Sequence, residues 1–158
     1  MAASVLLIVG ENQKLIERIC EIAGAITCGQ SKHGEMGPVI DQVSLEKVTR
    51  YIKEAEESGA KILLDGRSWS SDKKGYWIGP TVILHSNKHD AALLDEIFGP
   101  VLSIYACKTN DEAIEIENGN EYGNAACIYT SSGAYAEWFT KRFNAGMIGV
   151  NIGVPVPR

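Results

Sequence analysis

Apolar residues fall into two alternating periods along this chain, and the switches between them predict its elements. Val5 to Val9 is an unbroken aliphatic run stopped by Gly10, the pattern of a strand buried on both faces. Leu15, Ile19, Ile22, Ala23 and Ile26 then recur at helical spacing, with Asn12 as the cap. Gly29 to Pro38 is rich in glycine and polar residues and reads as a loop. Leu45, Val48, Ile52 and Ala55 mark one face of a second helix, opened by Ser44 and closed at Gly59.

Further on, Lys61 to Leu64 is a short strand and Asp65 to Gly75 an exposed polar excursion. Extended structure resumes at Thr81 to Leu84, after Pro80. The last third alternates most clearly. Val101 to Cys107 is a strand, Asp111 to Glu117 a helix, Ala125 to Thr130 a strand, Ala134 to Phe143 a helix and Met147 to Asn151 a final strand. Strands separated by helices require crossover connections. The pattern therefore predicts an α/β fold: a three-layer, open, largely parallel sheet with helices on both faces.

Length bounds this fold to the size of one ordinary domain, so residues 1–158 are expected to form a single α/β domain. The chain is 45% apolar and 22% charged, a globular mixture rather than a disordered one. Its net charge of −5 comes from scattered acids, with no clustered cationic face, which argues against a nucleic-acid partner. No apolar run is long enough to span a bilayer, and a cytoplasmic or other reducing location is expected.

Little local chemistry is declared. Cys20, Cys28, Cys107 and Cys127 show no CxxC pair or alternating Cys/His spacing, so they read as idle or buried thiols. Cys28 alone has loop glycines and a histidine, His33, in sequence reach, but an ordinary thiol at an element end is the favoured reading. His85 and His89 are four apart in a polar, loop-like context, and no metal site is expected. Neither GxGxxG nor GxxxxGK[ST] occurs.

One constellation carries chemical content, the run Leu93 to Pro100, where paired acids approach a buried strand through a Gly-Pro corner. In open α/β sheets ligands gather at loops beside strand ends. An ionised carboxylate there could accept from two hydroxyls of a ribose, and an adjacent aromatic could pack on a planar ring. On the residues alone, a solvated acid pair beside a core phenylalanine is the favoured reading.

The same residues carry a family resemblance. Asp95 to Val101, DEIFGPV, resembles the E-E-[IV]-F-G-P-V signature of the aldehyde dehydrogenase superfamily. In the expected order, Gly37-Pro38, Gly59-Ala60-Lys61 with Gly66, Pro80-Thr81 after Trp77, Tyr122-Gly123, and Gly146 with Val150-Asn151 resemble further elements of it. Met1-Ala2-Ala3 and the ending GVNIGVPVP are similar to the methylmalonate-semialdehyde dehydrogenase type, the first to residues directly after its nucleophilic cysteine.

This resemblance implies an enzyme that oxidises an aldehyde through a cysteine thiohemiacetal, passes hydride to NAD or NADP, and releases an acyl group, here to coenzyme A with decarboxylation. It implies that Glu96 hydrogen-bonds the nicotinamide-ribose hydroxyls and that Phe98 contacts that region. It also implies a homo-oligomeric parent enzyme taking a small aldehyde. The nucleophile, the glutamate base, the oxyanion-hole asparagine and the cofactor-binding domain have no match here, so the expectation is a catalytic-domain fragment, inactive alone, with no catalytic residue in this chain. A stand-alone, non-catalytic binding or assembly module derived from the same fold is the alternative.

Overall fold

The computed structural model describes residues 3–29, 36–70 and 74–154. Its elements run β1 (Val5–Val9), α1 (Gln13–Gly24), α2 (Gln42–Glu57), β2 (Lys61–Leu64), a 3-10 turn (Gly66–Ser70), β3 (Thr81–His85), α3 (Ala91–Leu94), β4 (Val101–Cys107), α4 (Asn110–Gly119), β5 (Ala125–Ile128), α5 (Gly133–Thr140) and β6 (Met147–Val150). The α/β class and the predominance of parallel pairing hold, and the strands form two sheets. One has the order β1-β4-β3-β2, and the other pairs β5 with β6. The domain expected from the chain's length takes the form of two compact units, Ser4–Ala106 and the remainder from Cys107.

Three layers are visible within the first unit. β3 and β4 run parallel, with Thr81 opposite Val101 and His85 opposite Tyr105. Side chains alternate between the two faces of a strand. Accordingly Val82, Leu84, Leu102 and Ile104 meet Ile16, Ile19, Cys20 and Ala23 of α1, with Leu6 and Ile8 of β1. On the opposite face Ile83 and Val101 meet Val48, Tyr51, Ile52 and Ala55 of α2. Val48, Ile52, Ile83 and Ile104 are fully buried. At roughly 25 cal/mol per Å² of apolar surface, such side chains stabilise by about 1.5–3 kcal/mol each.

β2 runs antiparallel to β3, and its register slips between Ile62 and Leu64. The extra residue, Leu63, makes a bulge that moves Leu64 opposite Val82. Ile62 can therefore pack on the α2 side while Leu64 packs on the α1 side, which an unbroken two-residue alternation would not permit.

Several boundaries differ from the sequence expectation. β1 is an edge strand with only Ile8 buried, not a strand buried on both faces. α2 begins one turn earlier than Ser44: Asp41 is its cap, and the Asp41 carboxylate accepts from the Ser44 amide at 2.7 Å. Gly59 does close it, with φ +94, a left-handed conformation that glycine adopts without strain. The stretch after Asp65 is not wholly an exposed excursion. Gly66 is buried, its carbonyl accepts from the Gly79 amide at 2.8 Å, and its amide donates to Thr81 Oγ1 at 3.0 Å. Trp69 lies over Gly79, where a Cβ would come within 2.7 Å of the indole.

In the second unit β5 and β6 pair parallel, Ala125 with Met147 through Ile128 with Val150. Both end earlier than the expected Thr130 and Asn151, because the pairing passes from backbone to side chain there. Asn151, at φ +54, accepts from the Thr130 amide and donates to the Thr130 carbonyl, each at 2.9 Å. Asn118 likewise links α4 to the segment after α5, donating to Arg142 O and accepting from the Asn144 amide, each at 2.7 Å. Thr109 caps α4, and Glu112 reaches back to the Lys108 amide at 2.7 Å.

Two outcomes follow for stability. A Cβ on Gly66 would lie 2.0 Å from the Gly79 carbonyl oxygen, whereas one on Gly119 meets nothing. Gly66→Ala should therefore cost about 2 kcal/mol or more in urea denaturation, and Gly119→Ala should cost nothing; equal effects would contradict the close backbone approach. Burial also pushes the Glu117 carboxyl above its ordinary range. A raised folded pKa favours the protonated form, so this stability is complete below the unfolded value near ~4.3 and is lost as pH rises through the folded one. Glu117→Gln should thus be the more stable form at neutral pH, by less than about 1 kcal/mol given partial exposure. The gap should close on acidification, and a gap that widened instead would contradict the burial.

Candidate functional site

Asp95 to Pro100 forms the turn between α3 and β4. It is held at both ends: the Asp95 amide donates to Ala91 O and the Thr81 amide donates to Pro100 O, each at 2.8 Å. Ile97 points inward, 5% exposed, and joins the cluster on α2. Its neighbours therefore point outward. Glu96 is exposed, and Phe98 is 82% exposed at φ +62. A left-handed backbone costs a non-glycine residue roughly 1–2 kcal/mol, so the surroundings must impose it.

α2 supplies that constraint through three positions on one face. Lys47 Nζ donates to the Glu96 carbonyl at 2.7 Å. Tyr51, buried in the core cluster, donates its hydroxyl to Asp95 Oδ2 at 2.7 Å. Between them Val48 lies so close under Gly99 that a Cβ there would come within 2.4 Å of Val48 Cγ2. The hydrogen bond to Asp95, with burial and the charge of Asp95, raises the Tyr51 pKa above the ordinary phenol value. The phenol therefore keeps its proton and donates it to the carboxylate.

The paired acids are consequently unlike. The Asp95 carboxylate is occupied by Tyr51, while among the described residues nothing binds the carboxylate of Glu96. Phe98 is not the core phenylalanine expected from the residues alone. The loop thus presents an acceptor with unfilled capacity and an open aromatic face, separated by one buried anchor.

The remaining candidates are placed elsewhere. His85 is the last residue of β3, not part of a loop, and it turns inward, away from His89, which is exposed. His85 Nδ1 lies 2.8 Å from Asp90 Oδ2, and Nε2 lies 3.2 Å from Ser103 Oγ. This Ser-His-Asp order imitates a hydrolytic triad. Ser103, however, is 0% exposed and gives its proton to the Ala92 carbonyl at 2.7 Å, so that proton is not directed at His85. No substrate reaches a hydroxyl committed in this way, and the network ties α3 to β3 and β4. Among the described residues no cluster of His, Cys, Asp and Glu could hold a metal. None of the four cysteines is in a disulfide; Cys107 is buried, and burial raises the Cys20 thiol. Cys28 is half-buried in an isolated bridge to Met36, and His33 lies outside the described residues.

Sequence reasoning missed Lys47, Tyr51 and the buried His85 network. Lys47 and Tyr51 are four apart on one helix, so their common face was legible. The partner loop, 44 residues from Tyr51, was not.

Comparison with known proteins gives this loop its context. The model of the aldehyde dehydrogenase family matches residues 1–157. The chain belongs to that family. It is 44% identical to malonate-semialdehyde dehydrogenase 2 of Bacillus thuringiensis (strain Al Hakam) across 99% of this chain and 33% of that protein, so it spans about a third of such a relative. The solved methylmalonate-semialdehyde dehydrogenase of Oceanimonas doudoroffii superposes with a TM-score of 0.92 at 34% identity, covering 98% of this chain and 33% of that one. A protein of Sinorhizobium meliloti 1021, provisionally named methylmalonate-semialdehyde dehydrogenase and solved with NAD, superposes equally well, with a TM-score of 0.92 at 33% identity over 98% of this chain and 33% of its own. The expected family and the likeness to the methylmalonate-semialdehyde type are thereby shown. No described helix of this aldehyde dehydrogenase chain is long and apolar enough to cross a membrane.

If the left-handed Phe98 is held against its preference, glycine at that position should relieve the strain. Phe98→Gly is expected to stabilise the chain by about 1 kcal/mol in urea denaturation. A loss of stability would mean that the phenyl ring contributes packing its exposure does not reveal.

Proposed function

We propose that this chain contributes one wall of the nicotinamide-cofactor site of an aldehyde dehydrogenase that takes methylmalonate semialdehyde or a similar short semialdehyde. The observation that carries the proposal is the outward presentation of Glu96 and Phe98 around a left-handed turn anchored on α2. The residues suit the group. An exposed carboxylate that no described residue binds can accept from a vicinal diol, and an exposed phenyl ring can pack on a planar heterocycle or a sugar face. Family membership and the NAD complex of the Sinorhizobium meliloti protein support the same reading.

Glu96 would hold the ribose hydroxyls of NAD or NADP, and Phe98 would limit where the ring end can lie. When bound, the cofactor accepts the hydride of the aldehyde. This chain orients it by a carboxylate acceptor and a ring set on rigid backbone, and the gain is positional. Coenzyme A is the proposed acyl acceptor. The parent is proposed to be a cytoplasmic homo-oligomer without a structural metal. Neither the cysteine nucleophile nor the oxyanion-hole asparagine that the family resemblance implies has a match in this sequence, so the chain by itself is proposed to be inactive.

A hybrid enzyme tests this reading: the Bacillus thuringiensis dehydrogenase with its matching third replaced by this chain. Glu96→Gln should raise the KM for the cofactor by roughly tenfold or more, the scale of losing a hydrogen bond to a charged group, without lowering thermal stability. An unchanged KM would remove Glu96 from the site. The isolated 158-residue chain should not reduce NAD in the presence of aldehyde, and turnover would overturn the proposed inactivity.

A further inference from the structure

We infer that Tyr51 is a positioning residue for the cofactor wall, acting through Asp95 to hold Glu96 and Phe98 in their outward conformation. The inference rests on the cofactor reading above and adds a residue that touches no substrate.

Tyr51 is buried by its ring and committed by its hydroxyl. The ring belongs to the cluster formed with Val48, Ile52, Ile83 and Ile97, so the position of its oxygen is fixed by core packing. That oxygen donates to Asp95 Oδ2 at 2.7 Å. Asp95 is the residue where α3 ends and the chain turns extended, at φ −90 and ψ 155. Fixing Asp95 fixes the entry to the turn, and the Val101 amide, donating to Gly99 O at 2.8 Å, marks its exit. Lys47, one turn earlier on α2, holds the Glu96 carbonyl, but it is only half-buried and its ammonium lies at the end of a flexible stem. Of the two holds, the tyrosine is the stiffer, because phenol geometry leaves few rotatable bonds once the ring is packed.

A carboxylate paired with a buried phenol also explains why the turn carries two adjacent acids with different work. Both acids are exposed, but Asp95 gives Oδ2 to Tyr51 of the helix, while no described residue binds the Glu96 carboxylate. Without the hydroxyl of Tyr51, Asp95 is free to turn outward and compete for the same donors.

Amide hydrogen exchange on the full chain tests the positioning. Tyr51→Phe keeps the ring and should speed exchange at the Asp95 and Val101 amides by about tenfold, leaving the interior of α2 unchanged. Asp95→Ala should do the same, whereas Asp95→Asn, which retains an acceptor oxygen, should keep the protection. In the hybrid enzyme Tyr51→Phe should raise the cofactor KM with kcat largely retained. Unchanged exchange at Asp95 and Val101 would overturn the positioning role. If exchange and KM both respond, the inference stands. If exchange responds while Glu96→Gln and Phe98→Ala leave KM unaltered, the cofactor reading fails and the role for Tyr51 in binding falls with it.

Discussion

The packing of α2 against the sheet decides what the rest of the first unit can do. Val48 and Ile52 are fully buried on the same face that carries Tyr51, and Gly99 meets Val48 closely enough to exclude any side chain at the glycine. A helix docked this tightly behaves as a fixed template. The Asp95 to Pro100 turn, laid across it, inherits that rigidity and can sustain a backbone conformation that an unsupported phenylalanine would leave. Strain in the loop is thus offset by burial beneath it, and the outcome is a polar acceptor and a ring set out in a fixed relation.

A second constraint comes from behind the turn. His85, Asp90 and Ser103 are buried together and mutually bonded, and Ser103 also holds the Ala92 carbonyl. Asp90 stands at the cap position of α3 yet makes no cap bond, because its two oxygens serve His85 and Asn87. Mutually bonded groups of this kind, buried together, hold one another in place. They fix the short α3, and through it the point at which the Asp95 to Pro100 turn begins. The resemblance of this trio to a hydrolytic triad is therefore geometric only, and burial determines which role it plays.

Most of the secondary structure was legible because it rests on local periodicity. α1 was visible from Leu15, Ile19 and Ala23 with its Asn12 cap, and β4 from the largely apolar stretch Val101–Cys107. The features that escaped were those set by partners distant in sequence. The exposure of β1 depends on its place at the sheet edge. The burial of Gly66 depends on Gly79, and the inward turn of His85 on Asp90 and Ser103. The site divides the same way. Glu96 and Phe98 could be named from the motif, but their exposure, the left-handed φ and the hold of Lys47 and Tyr51 follow only from the docking of α2.

The turn on α2 is set before any ligand arrives. Backbone NMR of the unliganded chain reads this directly, through the intraresidue amide-to-α-proton NOE and the three-bond coupling at Phe98. A left-handed Phe98, with the strong intraresidue NOE of a positive φ, is the predicted result. A Phe98 averaging over extended conformations would contradict the claim that α2 prearranges this wall.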